Sequence, residues 1–280
     1  MALSSEQTKA SAPAPRVAMS RASLLIAAFS TIVEWYDFTL YFYLATVLAR
    51  VFFGGGEASL IAALGGFAIA YLMRPLGAVA FAHLGDRFGR RPAMLISLGI
   101  MTLAMLLIGL MPARAEIGPV AGTLLILLRC VMGFSVGGEY IGVVAYLLEG
   151  ARPERRGLMT SLAAAASEVG ALLAVGVTTL TVSALSAADL DAWGWRIPIL
   201  FGSGLAACIW LARARMQESP DFERQQAQGT VPKHPLRYCL AHHRKGIVLG
   251  FAISALGSIT YYVGITYVPT FLTSAGALSE

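Results

Sequence analysis

Five ionisable residues stand inside long apolar stretches of this 280-residue chain: Glu34, Asp37, Arg74, Arg129 and Glu168. A charge at the centre of a membrane-crossing helix costs roughly 2.5–3.5 kcal/mol on insertion scales, so each needs a partner or a water-filled cavity. At ~1.5 Å per residue from the expected cytoplasmic helix ends, all five lie ~14–22 Å deep, in one layer near the midplane. Glu34 and Asp37 are three positions apart and share a helix face. Such a layer can do two kinds of work. Its charges can pair and hold a helix bundle together. Alternatively, they can bind a small polar solute and a proton. A planar guanidinium takes a carboxylate through two hydrogen bonds. A carboxyl group can load and release a proton when desolvation favours its neutral form and a nearby arginine its ionised form. For the proton, Asp37 is the first choice and Glu34 the second. Tyr36, Tyr41 and Tyr43 are candidates for lining a cavity, or for ordinary core.

The elements that must position these residues are helices in lipid. Hydrophobic residues make up 57% of the chain and charged residues 13%, about half the charge of a soluble domain. Apolar runs of roughly 20 residues or more predict seven spans, at about 22–48, 60–83, 92–112, 119–143, 157–183, 196–213 and 246–272. Only Arg50, Arg114 and Arg196 fall at outer ends, and Arg74 and Arg129 lie within spans; the remaining Lys and Arg residues sit at inner positions. That asymmetry places the amino terminus in the cytoplasm. The net charge of +5 is therefore a topology signal and does not imply nucleic acid. Trp193 and Trp195 flank the sixth span as expected interfacial anchors. Cys130, Cys208 and Cys239 have the spacing of neither a metal site nor a disulfide framework, so neither metal nor cofactor is expected. Small residues recur four apart, as at Gly133 and Gly137, Gly138 and Gly142, Gly66 and Ala70, and Gly170 and Ala174, a spacing that lets helices approach closely in lipid.

Between the second and third spans runs the polar stretch AHLGDRFGRR, from Ala82 to Arg91. It must reverse the chain at the cytoplasmic face, with Gly85 and Gly89 permitting a tight turn and Pro92 in the first turn of the next helix. GDRFGRR resembles the loop between helices two and three of the major facilitator superfamily, whose pattern G-x-x-x-D-R-x-G-R-R is matched at Asp86, Arg87, Gly89, Arg90 and Arg91, with Ala82 in place of the first glycine. Further stretches resemble the metabolite:proton symporters of that superfamily: Glu34 to Phe38, Arg74 to Gly77, Gly133 to Tyr140, Pro153 to Gly157, Trp193 to Pro198, and Glu218 to Pro220. The resemblance implies a proton-coupled carrier of a small organic acid or zwitterion in a bacterial cytoplasmic membrane. It also implies a gating role for the Asp86 loop, which helps lock two halves together in one state. Glu139, near the inner end of the fourth span, is expected either to join a gate network with Arg87, Arg90, Arg155 or Arg156, or to reach into the headgroups.

The expected fold is an all-α integral membrane bundle: six helices of a major facilitator superfamily N-terminal half, built as three plus three inverted helices, followed by one further transmembrane helix. The expected divisions are a disordered cytoplasmic tail at 1–21, the six-helix bundle at 22–213, a broken, partly helical inter-half loop at 214–245, and the first helix of a second half at 246–280. The family carries twelve helices, so the chain is expected to be an incomplete carrier whose partner is a missing C-terminal half or a second copy. Its other expected partners are a small-molecule substrate, protons and the bilayer. A membrane enzyme lacks sequence support, because His83, His234, His242 and His243 all fall at the inner surface and no HExxH motif occurs. A seven-helix receptor is opposed by the cytoplasmic amino terminus.

Overall fold

The structure of the protein, a computed structural model, describes residues 19–231 and 235–261 together with the single positions 263 and 268. It divides into two compact units between Val231 and Pro232. The first contains six helices long and apolar enough to cross a membrane: α1 (Arg21–Tyr43), α2 (Glu57–Phe88), α3 (Arg90–Leu110), α4 (Val120–Gly150), α5 (Pro153–Ala184) and α6 (Arg196–Arg213). A short helix α7 (Pro220–Ala227), capped by the Ser219 hydroxyl, follows them. No strand occurs among the described residues.

Two of the long helices are broken next to a predicted site residue. In α1 the break is at Ser30, whose hydroxyl donates to Ala27 O at 2.6 Å in competition with the helical ladder; Glu34 follows in the next turn. In α2 the break is at Met73. Pro75 brings no N–H to the carbonyl of Tyr71, so the ladder loosens there, and Arg74 opens the second segment.

The packing has an internal symmetry. α1 lies along α5 and α6; α4 lies along α2 and α3; α1 meets α4, and α3 meets α6. Exchanging α1–α3 with α4–α6 maps this pattern onto itself. Because three helices precede the exchange, the two triplets run in opposite directions, the arrangement of an inverted repeat. α1 and α4 are equivalent under the exchange, and they carry Glu34, Asp37 and Arg129. The main core lies among α1, α3, α4 and α6, with Tyr36, Leu40, Leu98, Met101, Met105 and Leu125 fully buried.

Glycines allow the tightest crossings. A Cβ on Gly77 would overlap the Phe134 carbonyl, and one on Gly133 or Gly137 would overlap the Ala70 or Arg74 carbonyl. Thus α2 and α4 touch backbone to backbone. Gly170 lies against the Ile32 carbonyl in the same manner, joining α5 to α1. At the cytoplasmic end of α2, the helix continues through Gly85 to Phe88 and the whole reversal takes place at Gly89, with φ 110°. The expected ten-residue loop is therefore one residue long, Gly85 is an ordinary helical position, and only Gly89 needs its missing Cβ for backbone reasons. Trp195 also departs from expectation. It is fully buried, packed edge-on to Phe52 with ring centroids 5.0 Å apart, and belongs to the core; Trp193 alone of the two is exposed.

The second unit contains α8 (Pro235–His242) and α9 (Arg244–Tyr261). The large apolar residues of α9, Val248, Leu249, Phe251, Ile253 and Leu256 among them, are exposed. The seventh expected span, 246–272, is described as continuous helix only to Tyr261; positions beyond it, Val263 and Val268 excepted, and residues 1–18 of the expected tail, lie outside the described residues.

Candidate functional site

Four of the five predicted layer residues meet in two acid–arginine pairs. The deeper pair joins α1 to α4. Arg129 Nη1 donates to Asp37 Oδ1 at 2.7 Å and Oδ2 at 2.8 Å, and both residues are buried. The Arg129 guanidinium also lies over the Tyr41 ring, 4.6 Å from its centroid, an attractive contact for a desolvated cation. Beside the pair is a narrow pocket of about 20 Å³ walled mostly by Leu40, Leu44, Leu125 and Ile199, room for one water.

The second pair joins α1 to α2. Arg74 Nη1 stands 3.5 Å from Glu34 Oε1, at the long limit of a hydrogen bond. Arg74 lies over Tyr71 at 4.5 Å and is a quarter exposed, whereas Glu34 is buried and its Oε2 has no partner among the described residues. Both line an open groove of about 510 Å³ between α1, α2 and α4, together with Trp35, Tyr71 and Tyr140. Glu168, the fifth residue, is exposed on α5 and joins neither pair. Of the three tyrosines, Tyr36 donates to Pro198 O and Tyr41 to Ala63 O, both at 2.7 Å and both buried, while Tyr43 is exposed.

Glu139 is not part of the expected network with Arg87, Arg90, Arg155 or Arg156, nor does it reach out of the bundle. It is buried against Arg213 of α6, which donates to it, to Ser30 Oγ and to Met94 O, while Ser97 Oγ donates to Glu139 Oε2 at 2.7 Å. One buried ion pair thus ties α1, at its break, to α3, α4 and α6. Sequence reasoning took Arg213 for a cytoplasmic flank. The signal against that was its register: Ile199, Ala206 and Arg213 recur at seven-residue steps on the buried face of α6.

At the cytoplasmic end, Arg90 bridges Asp86 at 2.8 Å and Glu149 at 2.9 Å. Glu218 accepts from the backbone N–H of Arg90 at 2.9 Å and of Arg91 at 3.2 Å, capping α3. The Ser219 hydroxyl donates to Glu149, and Arg91 donates to Ala214 O. The loop motif is therefore clamped to the end of α4 and to the segment between α6 and α7; Arg87 lies over the Phe88 ring, 5.2 Å from its centroid. Glu149 had not been singled out, and Ser219 only as part of the Glu218 to Pro220 stretch, with no role given to it.

Residues 23–231 match the family model described as sugar (and other) transporter. The chain belongs to the sugar (and other) transporter family. Within it, the relatives support a place among the metabolite:proton symporters of the major facilitator superfamily and a multi-pass inner-membrane protein. Relatives of this transporter-family chain include the glycine betaine/proline/ectoine/pipecolic acid transporter OusA of Dickeya dadantii strain 3937, 34% identical over 271 residues, covering 93% of this chain and 54% of that one. The alpha-ketoglutarate permease of Escherichia coli K12 is 32% identical over 255 residues, 90% of this chain and 58% of that one. The chain thus spans about half the length of the curated relatives it matches. Among solved structures, a partially occluded inward-open form of the xylose transporter XylE from E. coli shares the fold, with a TM-score of 0.68 at 20% identity over 83% of this chain and 62% of that one.

Proposed function

We propose that the six-helix unit is one bundle of a proton-coupled symporter for a small polar metabolite, an organic acid or a zwitterion, working with a second bundle and with its amino terminus in the cytoplasm. The observation that carries this reading is the pair of acid–arginine contacts on α1, Glu34–Arg74 in an open groove and Asp37–Arg129 in a narrow pocket, within a bundle of the transporter fold. The two pairs divide the work. The groove has room for a metabolite and the pocket has room for little more than water. Asp37 takes the proton: protonation neutralises it, releases Arg129 and changes the charge of the layer three residues from the groove. Glu34 and Arg74 contact the solute. The named cargoes of the relatives, from glycine betaine to alpha-ketoglutarate, support a small polar substrate. Glu168, on the exposed face of α5, belongs to the surface that a second bundle covers, and the Asp86–Arg90–Glu149 cluster acts as a cytoplasmic latch.

The test is accumulation under an imposed proton gradient in proteoliposomes that contain the chain co-produced with the second bundle of the Dickeya dadantii relative. Asp37→Asn is expected to abolish gradient-driven accumulation and to retain counterflow exchange, which needs no net proton movement. Accumulation that is unaffected by Asp37→Asn would remove the assignment of the proton site, and failure of all metabolites to accumulate would remove the transporter reading.

A further inference from the structure

Ser30, Glu34 and Asp37 stand at i, i+4 and i+7, so successive turns of α1 present one face. Each meets an arginine from a different helix: Ser30 meets Arg213 of α6, Glu34 meets Arg74 of α2, and Asp37 meets Arg129 of α4. The first of these contacts falls on the residue at which α1 is broken.

At the break the Ser30 N–H is shared between the carbonyls of Ile26 at 3.1 Å and Ala27 at 3.3 Å, and the Val33 N–H closes a tight turn on the Ser30 carbonyl at 3.2 Å. The buried Ser30 hydroxyl donates to Ala27 O and accepts from Arg213 Nη2. A serine hydroxyl that bonds back to its own helix competes with the ladder and bends it; the bond from Arg213 holds that hydroxyl in place. The planar fork of Arg213 is itself fixed, because the Met94 carbonyl at 2.9 Å and Glu139 also accept from it, and Ser97 holds Glu139. An apolar pair of similar volume would pack these helices about as well, but it would not hold Ser30. One turn beyond the break, the Glu34–Arg74 contact is at the long limit of a hydrogen bond, 3.5 Å, so a small rotation of the rest of α1 makes or breaks it.

We propose that Arg213 is a positioning residue for transport: through the Ser30 hydroxyl it fixes the break in α1 that aims Glu34 at Arg74 and Asp37 at Arg129, while touching neither pair itself. The proposal rests on the transporter reading in taking those two acids as the working groups. Helices α3, α4 and α6 thereby set the register of the charged layer from one turn away.

Two readouts test this. The first needs no transport. In the purified 280-residue chain in lipid nanodiscs, with Cys130, Cys208 and Cys239 replaced by serine, spin labels at Leu25→Cys and Tyr43→Cys lie on exposed positions either side of Ser30. Their dipolar coupling is expected to give one narrow distance. Ser30→Ala changes no charge and suits a helix; it is expected to shift that distance. Arg213→Lys keeps a cation beside Glu139 but loses the fork; it is expected to broaden the distribution. Should Arg213→Lys fail to fold, Ser30→Ala alone decides, and a distance it leaves unchanged overturns the proposal.

The second readout is gradient-driven uptake of radiolabelled L-proline and alpha-ketoglutarate by the chain co-produced with the second bundle of the Dickeya dadantii relative. For whichever probe is taken up, Ser30→Ala is expected to raise KM roughly fivefold or more with little change in Vmax per folded protein. In a Glu34→Gln background it should raise KM no further, because it acts through Glu34. A purely structural role would instead lower Vmax through loss of folded protein and leave KM alone, and that result, or a KM effect that simply adds to Glu34→Gln, would sink the proposal. Uptake of neither probe by the unaltered chain would count against the transporter reading, and the spin-label distances would then decide the positioning role on their own.

Discussion

At the scale of single residues, three acid–arginine pairs among the described residues have a buried acid, and they differ in what surrounds them. Glu34–Arg74 opens on a groove, Asp37–Arg129 on a narrow pocket, and Glu139–Arg213 on neither. Glu139 and Arg213 are 2% and 1% exposed and also bond Ser97, Ser30 and the Met94 carbonyl, while Arg213 Nε is buried without a partner among the described residues. A pair so enclosed contributes little net stability relative to apolar residues of similar size, yet breaking it strands a charge. Arg213→Met is therefore expected to destabilise the purified protein by about 3–5 kcal/mol. Adding Glu139→Leu should recover most of that loss, a coupling read from thermal unfolding of the two single variants and the double variant. Additive losses would show that the two side chains act independently. The layer charges were legible in the sequence because a charge inside an apolar run stands out. Arg213 was not, because a buried arginine at a helix end and a positive-inside flank have the same composition, and only the face it occupies separates them.

At the scale of helices, the binding role proposed for the groove depends on how closely α2 approaches α4, since that contact places Arg74 and Tyr140 on the walls of one groove. The small residues that permit it were visible as a four-residue spacing, but spacing alone did not rank them. Gly133 and Gly137 meet carbonyls of α2, whereas Gly142 has only an ordinary contact with Met94 at 3.6 Å, and Gly176 has open space around it. Gly137→Leu is expected to push α2 off α4, costing about 1–3 kcal/mol or more as overpacking does and abolishing solute binding in the groove. Gly176→Leu, the same change on α5, should be tolerated; equal losses at both positions, measured by thermal unfolding and binding, would refute the argument from close approach. Helix lengths were read to within a turn or two, because hydropathy fades gradually at the ends: α4 runs to Gly150, not 143. The cytoplasmic reversal was read too long for a related reason. Polar residues look like loop, but Gly85, Asp86 and Arg87 complete the last turn of α2, where Asp86 reaches Arg90 one turn later.

At the scale of the whole molecule, the three-plus-three exchange symmetry of the bundle was expected from helix count and is carried by contacts that no sequence repeat announces: what is repeated is the partner of each helix and not the residues that touch. The topology argued from Arg and Lys placement has its own test. Cys239 is exposed in α8, and a membrane-impermeant thiol reagent is expected to spare it in intact cells and modify it in inverted vesicles; labelling in intact cells would invert the assignment. The last expectation concerns sufficiency. Of the six spans, α2 and α5 are the least buried; the groove with Glu34 and Arg74 opens on the surface, and Glu168 stands exposed on α5. Charged groups facing hydrocarbon are costly, so this surface needs a polar cover or a water-filled cleft. Alternating access needs a second body to rock against the first around such a cleft, and the relatives are about twice as long as the span they share with this chain. The 280-residue chain reconstituted alone in proteoliposomes is therefore expected to bind solute but not to accumulate it under an imposed proton gradient. Co-production with a second bundle should restore accumulation. Gradient-driven uptake above empty liposomes by the chain alone would show that a second copy, or the chain itself, already supplies the opposing wall, and the mass of the reconstituted species would tell those two apart.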